Sequence, residues 1–194
     1  MFGSGEVEHS LLGAAVTEVA RMYQLPVEAS VGGSDHYLPC LQAGYERALN
    51  YSLPILARPD LLVAPGLLGG STVFSPEQLL IDLEVIRRCK RLNQGIHGSE
   101  DKWLGEVIAT LGPGGNYLTH PTTRKQVRSG EIYFSQLGLH GSYENWLQAG
   151  SPDLLCELHE YIESILSKHQ PLALTEEAER ELANIETRAR LSRA

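Results

Sequence analysis

The sequence predicts an α/β protein, the C-terminal part of a TIM (β/α)8 barrel, with parallel strands, flanking helices and a helical C-terminal tail. Two short apolar runs, each stopped by a turn signal, begin at residues 27 and 61, about 34 positions apart, a usual βαβ repeat length. Each is followed by a segment with helical spacing, giving the alternation of βα units. The chain has 194 residues, short of the roughly 250 of a complete barrel, and it opens on a Gly-rich segment and a helix. The expected organisation is one domain over 1–194, with βα units and loops to about residue 150 and a helical tail over 151–194.

Glu6 to Tyr23 reads as an amphipathic helix whose apolar face is Val7, Leu11, Ala14, Ala15, Val19 and Met22. After Pro26 comes a strand, Val27 to Val31, stopped by Gly32-Gly33. Leu41 to Leu56 is a second helix, with Pro54 expected to interrupt its last turn. Leu61 to Ala64 suits a buried parallel strand, ended by Pro65-Gly66. Ser75-Pro76-Glu77 opens a third helix: Ser75 fits the N-cap, Pro76 the first helical position and Gln78 the capping-box position. Leu79, Leu80, Leu83 and Ile86 make its apolar face. Asp101 to Leu111 is a fourth helix, stopped by Gly112-Pro113. Thr119 to Arg128 is polar and ambiguous, and Asp153 to His169 and Thr175 to Arg190 are two further helices. The last carries Glu176/Arg180 and Glu186/Arg190 at i,i+4 spacing, a solvated face.

Composition removes several functions. With 16 basic and 24 acidic residues the net charge is −8, which argues against binding a nucleic-acid backbone or an anionic membrane surface. No apolar run reaches the roughly 20 residues of a membrane span. Met1 to Glu6 lack the basic and apolar regions of a signal peptide. Three scattered cysteines, Cys40, Cys89 and Cys156, make no disulfide framework and point to the reducing cytoplasm.

In a barrel, active groups come from the loops after strands. The first such loop, Gly32 to Tyr37, offers Ser34, Asp35 and His36 just past a strand end. Asp35 suits a cationic head group or a proton-transfer role, against the plainer reading that Ser34 or Asp35 caps the next helix or closes a turn. The second loop, Gly66 to Thr72, has glycines that permit close approach of a ligand or simply form a turn. It lacks the Lys of a Walker A loop, and Gly112 to Gly115 follows a helix instead of a strand, so neither is a nucleotide fingerprint. His36 and Cys40 would make a metal edge if helical, with Pro39 between them disturbing the geometry; no CxxC or HExxH occurs, and no metal site is assigned. His120 is the strongest candidate imidazole, against a loop hydrogen bond as its ordinary role. Trp103 and Trp146 read as packing residues before they read as a cation cage.

The ordered set of motifs resembles the C-terminal part of the trimethylamine methyltransferase family. It comprises Gly3 to Glu6, Gly32 to Asp35 with Gln42 to Glu46, Gly69 to Thr72 with Gln78 to Glu84, and Gly112 to Gly115. It continues through Tyr117 to Pro121, Arg128, Tyr143 to Trp146 and Gly150 to Asp153. The resemblance implies a cytoplasmic TIM-barrel enzyme that moves a methyl group from a methylated amine to the cobalt of a corrinoid carried by a separate protein, with no cofactor tightly bound by this chain. Family members with pyrrolysine carry it near Gly32-Gly33-Ser34. This chain has none, so the resemblance points away from trimethylamine and toward quaternary amines such as glycine betaine. Carried over on this basis are Asp35 and His120 as catalytic candidates, and Ser34, Gln42, Tyr45, Glu46, Gly69 and Gly70 as substrate-binding candidates. The expected partners are the corrinoid protein, the small amine, and a second copy or the missing barrel half.

The sequence departs from the family pattern at His36-Tyr37, Cys40, Thr122 and Leu139-His140. Those changes favour an alternative, a truncated, non-catalytic homologue acting as a binding module. A third reading, a zinc-assisted methyltransferase, would use His36, Cys40 and one more ligand.

Overall fold

The computed structural model describes residues 3–191. Met1 and Phe2, part of the segment read for a leader, lie outside the described residues. Contacts divide the chain into one unit up to His159 and another from Glu160 on.

At the centre of the first unit, β1 (Glu28–Ser30) and β2 (Leu61–Val63) pair in parallel, with Glu28 opposite Leu61 and Ser30 opposite Val63. They are joined by α2 (Leu41–Ala57), so the predicted β–α–β unit is present. Both strands are shorter than their apolar runs, because Gly32 (φ +72°) and Ala64 (φ +75°) turn the chain out of extended conformation. The core gathers Ala29 and Val31, Tyr51 and Ile55 of α2, and Ile86 and Cys89 of α3 (Pro76–Gln94), with Leu62 and Val85 packed against them.

α1 (Val7–Met22) forms where predicted but buries a different face. Ser10 and Thr17 are buried, whereas Leu11, Leu12, Val16, Val19 and Met22 are exposed. Small residues let α1 approach α2: a Cβ on Gly13 would lie 3.3 Å from Cγ of Pro54. The polar atoms stay satisfied, Thr17 Oγ1 donating to the Gly13 carbonyl at 2.8 Å and Ser10 Oγ to the Leu49 carbonyl at 3.2 Å. Pro54 does not break α2, which runs on to Ala57 and ends with Arg58 in the left-handed region. The buried proline ring packs toward α1, and near the helix end its missing N–H costs one backbone bond.

The loop after β2 folds into a hairpin the sequence did not announce, β3 (Leu67–Leu68) against β4 (Val73–Phe74). α3 starts as predicted, with Ser75 Oγ accepting the Gln78 N–H at 3.1 Å. The capping box is only half made: Gln78 turns its amide to Asp82 at 2.8 Å, and the Ser75 hydroxyl donates to Glu77 Oε2 at 2.8 Å instead. Ser75→Ala removes the cap and should cost ~0.5–2 kcal/mol in urea unfolding; no change in midpoint would show the helix start to be held by Pro76 and tertiary packing alone.

The predicted fourth helix divides into a 3₁₀ turn, Glu100–Lys102, and α4 (Gly105–Leu111). The ambiguous segment contains α5 (Pro121–Arg128), and α6 (Tyr143–Gln148) is capped by Ser142. Trp103 is 80% exposed, contrary to the packing reading. The Trp146 ring lies 5.7 Å from that of Tyr143, tilted by 35°, and its Nε1 donates to the Pro152 carbonyl at 3.1 Å. α7 (Leu154–Lys168) begins in the first unit and continues in the second, which holds α8 (Glu176–Leu191). The Glu176–Arg180 and Glu186–Arg190 pairs form at 3.9 Å on the exposed surface of α8.

Candidate functional site

The loops that follow β1 and β2 leave the same end of two adjacent parallel strands and are bonded to each other. The Gly69 N–H donates to the His36 carbonyl at 2.9 Å, and the Gly70 N–H to the Ser34 carbonyl at 3.1 Å. The Asp35 loop and the Gly69-Gly70 turn therefore share one rim of this strand pair.

Asp35 is half-buried. Its Oδ1 accepts from the Ser4 amide at 2.8 Å and from the Ser4 hydroxyl at 3.0 Å. Its own N–H donates to Oε2 of buried Glu46 at 3.1 Å, and Glu46 Oε1 accepts from Gln42 at 2.8 Å. Asp35 and Glu46 thus sit in one cluster covered by residues 3–5. Glycine is required there: a Cβ at Gly3 would lie 1.8 Å from Asp35 Oδ2, and one at Gly5 2.6 Å from the Glu46 carboxyl carbon. Ser34 is buried, and its hydroxyl accepts the His36 N–H at 3.2 Å, so it closes the turn, while Asp35 caps no helix among the described residues. A cavity of about 480 Å³ adjoins the cluster through Gly3 and Ser4, with Glu8, His9, Leu11 and Leu12 as its other walls.

Behind the loops lies a buried polar network that sequence reasoning missed. Arg47 and Asp82 are fully buried and pair at 2.8 Å. Arg47 also donates to the carbonyls of Gly32, in the first loop, and Leu67, in the second. Asp82 accepts the Gly66 N–H at 2.6 Å and the Gln78 amide at 2.8 Å. Asn50 donates to the carbonyls of Ser4 at 3.2 Å and Gly33 at 3.1 Å. Burial pushes the Tyr51 hydroxyl well above its ordinary range, with the Asp82 charge adding to the shift. Burial likewise raises the Asp82 carboxyl, against the opposing pull of Arg47, the Gly66 N–H and Gln78. The signal was present in the sequence: Arg47, Asn50 and Tyr51 recur at i, i+3 and i+4, a polar stripe on the face of α2 that packs inward.

The other candidates are placed differently. Tyr45 is exposed. His120 caps α5, its Nδ1 accepting from the Thr122 amide at 3.3 Å and lying 2.6 Å from the Thr122 hydroxyl. Among the described residues no hydrogen bond or ion pair joins it to the rim loops. Residues 36–40 are not helical, so His36 and Cys40 do not share a helix face, and His36 Nδ1 accepts the Leu38 N–H at 3.0 Å. Among the described residues no group of three or more His, Cys, Asp or Glu side chains is arranged to hold a metal ion.

Residues 1–191 match the family model described as trimethylamine methyltransferase (MTTB). The chain is 36% identical over 169 residues to trimethylamine methyltransferase MttB of Methanosarcina barkeri, covering 86% of this chain and 33% of that protein. It is 30% identical over 181 residues to trimethylamine methyltransferase MttB of Desulfitobacterium hafniense (strain DSM 10664 / DCB-2), covering 93% and 36%. To the glycine betaine methyltransferase of Desulfitobacterium hafniense (strain Y51) it is 27% identical over 179 residues, covering 92% and 37%. The chain spans about a third of the length of these curated relatives. A family match over nearly its whole length makes this chain a member of the trimethylamine methyltransferase family.

Proposed function

We propose that this chain supplies the C-terminal βα units of a TIM-barrel methyltransferase that takes a methyl group from a quaternary or methylated amine, glycine betaine foremost, and passes it to the cobalt of a corrinoid carried by a separate protein. The observation that carries this reading is the rim itself: Asp35 stands at the C-terminal end of a parallel strand pair, in a loop bonded to the Gly69-Gly70 turn. Ligands in α/β folds bind at that end of the strands.

The chain's residues fit the cationic side of the reaction. Ser4 fixes Asp35 Oδ1, which holds the carboxylate ready to face an ammonium group without reorganisation. Glu46, oriented by Gln42, adds a second carboxylate, and Ser34 holds the shape of the loop. Leu11 and Leu12 offer apolar walls to N-methyl groups in the adjoining cavity. Gly69 and Gly70 keep the rim low, with open space around Gly70 for the approach of a second protein. A quaternary nitrogen leaves as a neutral amine and needs no proton, so the protein's work is to position and desolvate the cation. The corrinoid, when its carrier docks, supplies the nucleophile. Tyr45 and His120 complete the assignment, Tyr45 as an outer wall and His120 from α5.

Exposed Val16, Val19 and Met22 of α1, away from the cavity, are the seat for further barrel units or a second copy. The three free cysteines suit the cytoplasm, and among the described residues no helix is long and apolar enough to cross a membrane.

Calorimetric titration tests the amine site. Glycine betaine should bind, and tert-butylacetate, in which carbon replaces N⁺, should bind more weakly. Asp35→Ala should lower betaine affinity about tenfold or more, the size of one charge-assisted contact. Equal affinity for the two compounds, or no loss in Asp35→Ala, overturns the reading. Adding a corrinoid protein and following dimethylglycine then tests methyl transfer, with His120→Ala measured alongside.

A further inference from the structure

We propose that Arg47 is a positioning residue: paired with Asp82, it clamps the two rim loops at a fixed spacing from behind. As a device for presenting an amine site this rests on the reading above, but the clamp itself is a claim about the loops alone.

The argument begins with a cost. Arg47 and Asp82 are wholly buried, and a buried ion pair is poor evidence for added stability, since apolar groups of similar volume often do as well. Arg47 Nε and Asn50 Oδ1 lack hydrogen-bond partners among the described residues, a further penalty. What the pair supplies that an apolar filling cannot is directional reach. One guanidinium donates to the Gly32 carbonyl in the loop past β1, to the Leu67 carbonyl beyond β2, and to Asp82 on α3. Asp82 in turn accepts the Gly66 N–H, so the second loop is held by a donor and an acceptor together. The planar fork fixes the angle between those bonds, which a lysine ammonium on a flexible stem does not. Both loops are gripped through their main chains, one layer behind the Gly69–His36 and Gly70–Ser34 bonds that define the rim.

Arg47→Lys in the full chain is the direct test. It keeps a cation beside Asp82 but loses the fork. Amide hydrogen exchange read by NMR should show the Gly69 and Gly70 N–H groups exchanging at least about tenfold faster, normalised to the slowest amides of α2. A uniform acceleration of all amides would mean Arg47 is merely structural, and unchanged Gly69 and Gly70 protection in a folded variant would likewise overturn the clamp. If Arg47→Lys does not fold, the apolar double variant Arg47→Met/Asp82→Leu is read by the same criterion. Betaine titration of the unaltered chain separates the two claims: no binding sinks the amine reading, while the exchange result still decides the clamp.

Discussion

Asp82→Ala should be the most damaging single truncation in the first unit, lowering stability by ~3–5 kcal/mol in urea unfolding. The reason is what it leaves behind. Arg47 would remain buried without its counter-ion, and the Gly66 N–H and Gln78 amide would lose their acceptor. The double variant Arg47→Met/Asp82→Leu should recover most of that loss, because it removes both charges together. A loss below about 1 kcal/mol for Asp82→Ala would mean that the guanidinium finds water when its partner goes, and the buried network would then be wrong. The unfolding slope should stay unchanged, so that the midpoint alone reports the effect.

Gly32→Ala is expected to come close behind, at ~2–5 kcal/mol. Two costs add. A non-glycine residue held at φ +72° carries a penalty of about 1–2 kcal/mol. The new Cβ would also stand 2.1 Å from the Tyr51 ring, which is fully buried and cannot move aside cheaply, adding about 1–3 kcal/mol of overpacking. Gly70→Ala is the control, since it has a similar φ of +61° with nothing within 4 Å. It should lose only the backbone contribution. Equal losses for the two variants would remove Tyr51 from the account of why the β1 loop turns where it does.

The parts of the fold written in local signals were readable. Apolar runs ended by Gly32-Gly33 and Pro65-Gly66 located β1 and β2, and Ser75-Pro76 marked the start of α3 to the residue. The parts set by packing were not. Periodicity assigns burial to whichever face is apolar, and on α1 that is Leu11, Val19 and Met22. The structure instead buries Ser10, Gly13's flank and Thr17, because small residues let α1 meet Pro54 closely and backbone carbonyls absorb the hydroxyls. The hairpin β3–β4 escaped because its strands have two residues each, too short for any alternation to register.

The site divides along the same line. That Asp35 and Gly69-Gly70 share a rim follows from the β–α–β topology alone, and so was legible. The partners that hold Asp35 were not, because Ser4 lies 31 positions away in sequence. Arg47 was passed over for a related reason: a charged residue on a helix is read as solvated until its long-range partners on α3 and in two loops are known. His120 shows the opposite case, where an ordinary local role, capping α5 beside Thr122, was available to a residue chosen for its chemistry.

The grip of Arg47 on carbonyl oxygens, and of Asn50 on two more, has an implication for redesign. Nothing in those bonds depends on which side chains the loops carry. Loop side chains that make no bond of their own can therefore be retargeted toward a new ligand while the scaffold beneath keeps its geometry, whereas His36, which accepts the Leu38 N–H, and Thr72, whose hydroxyl donates to the Gly69 carbonyl, must stay.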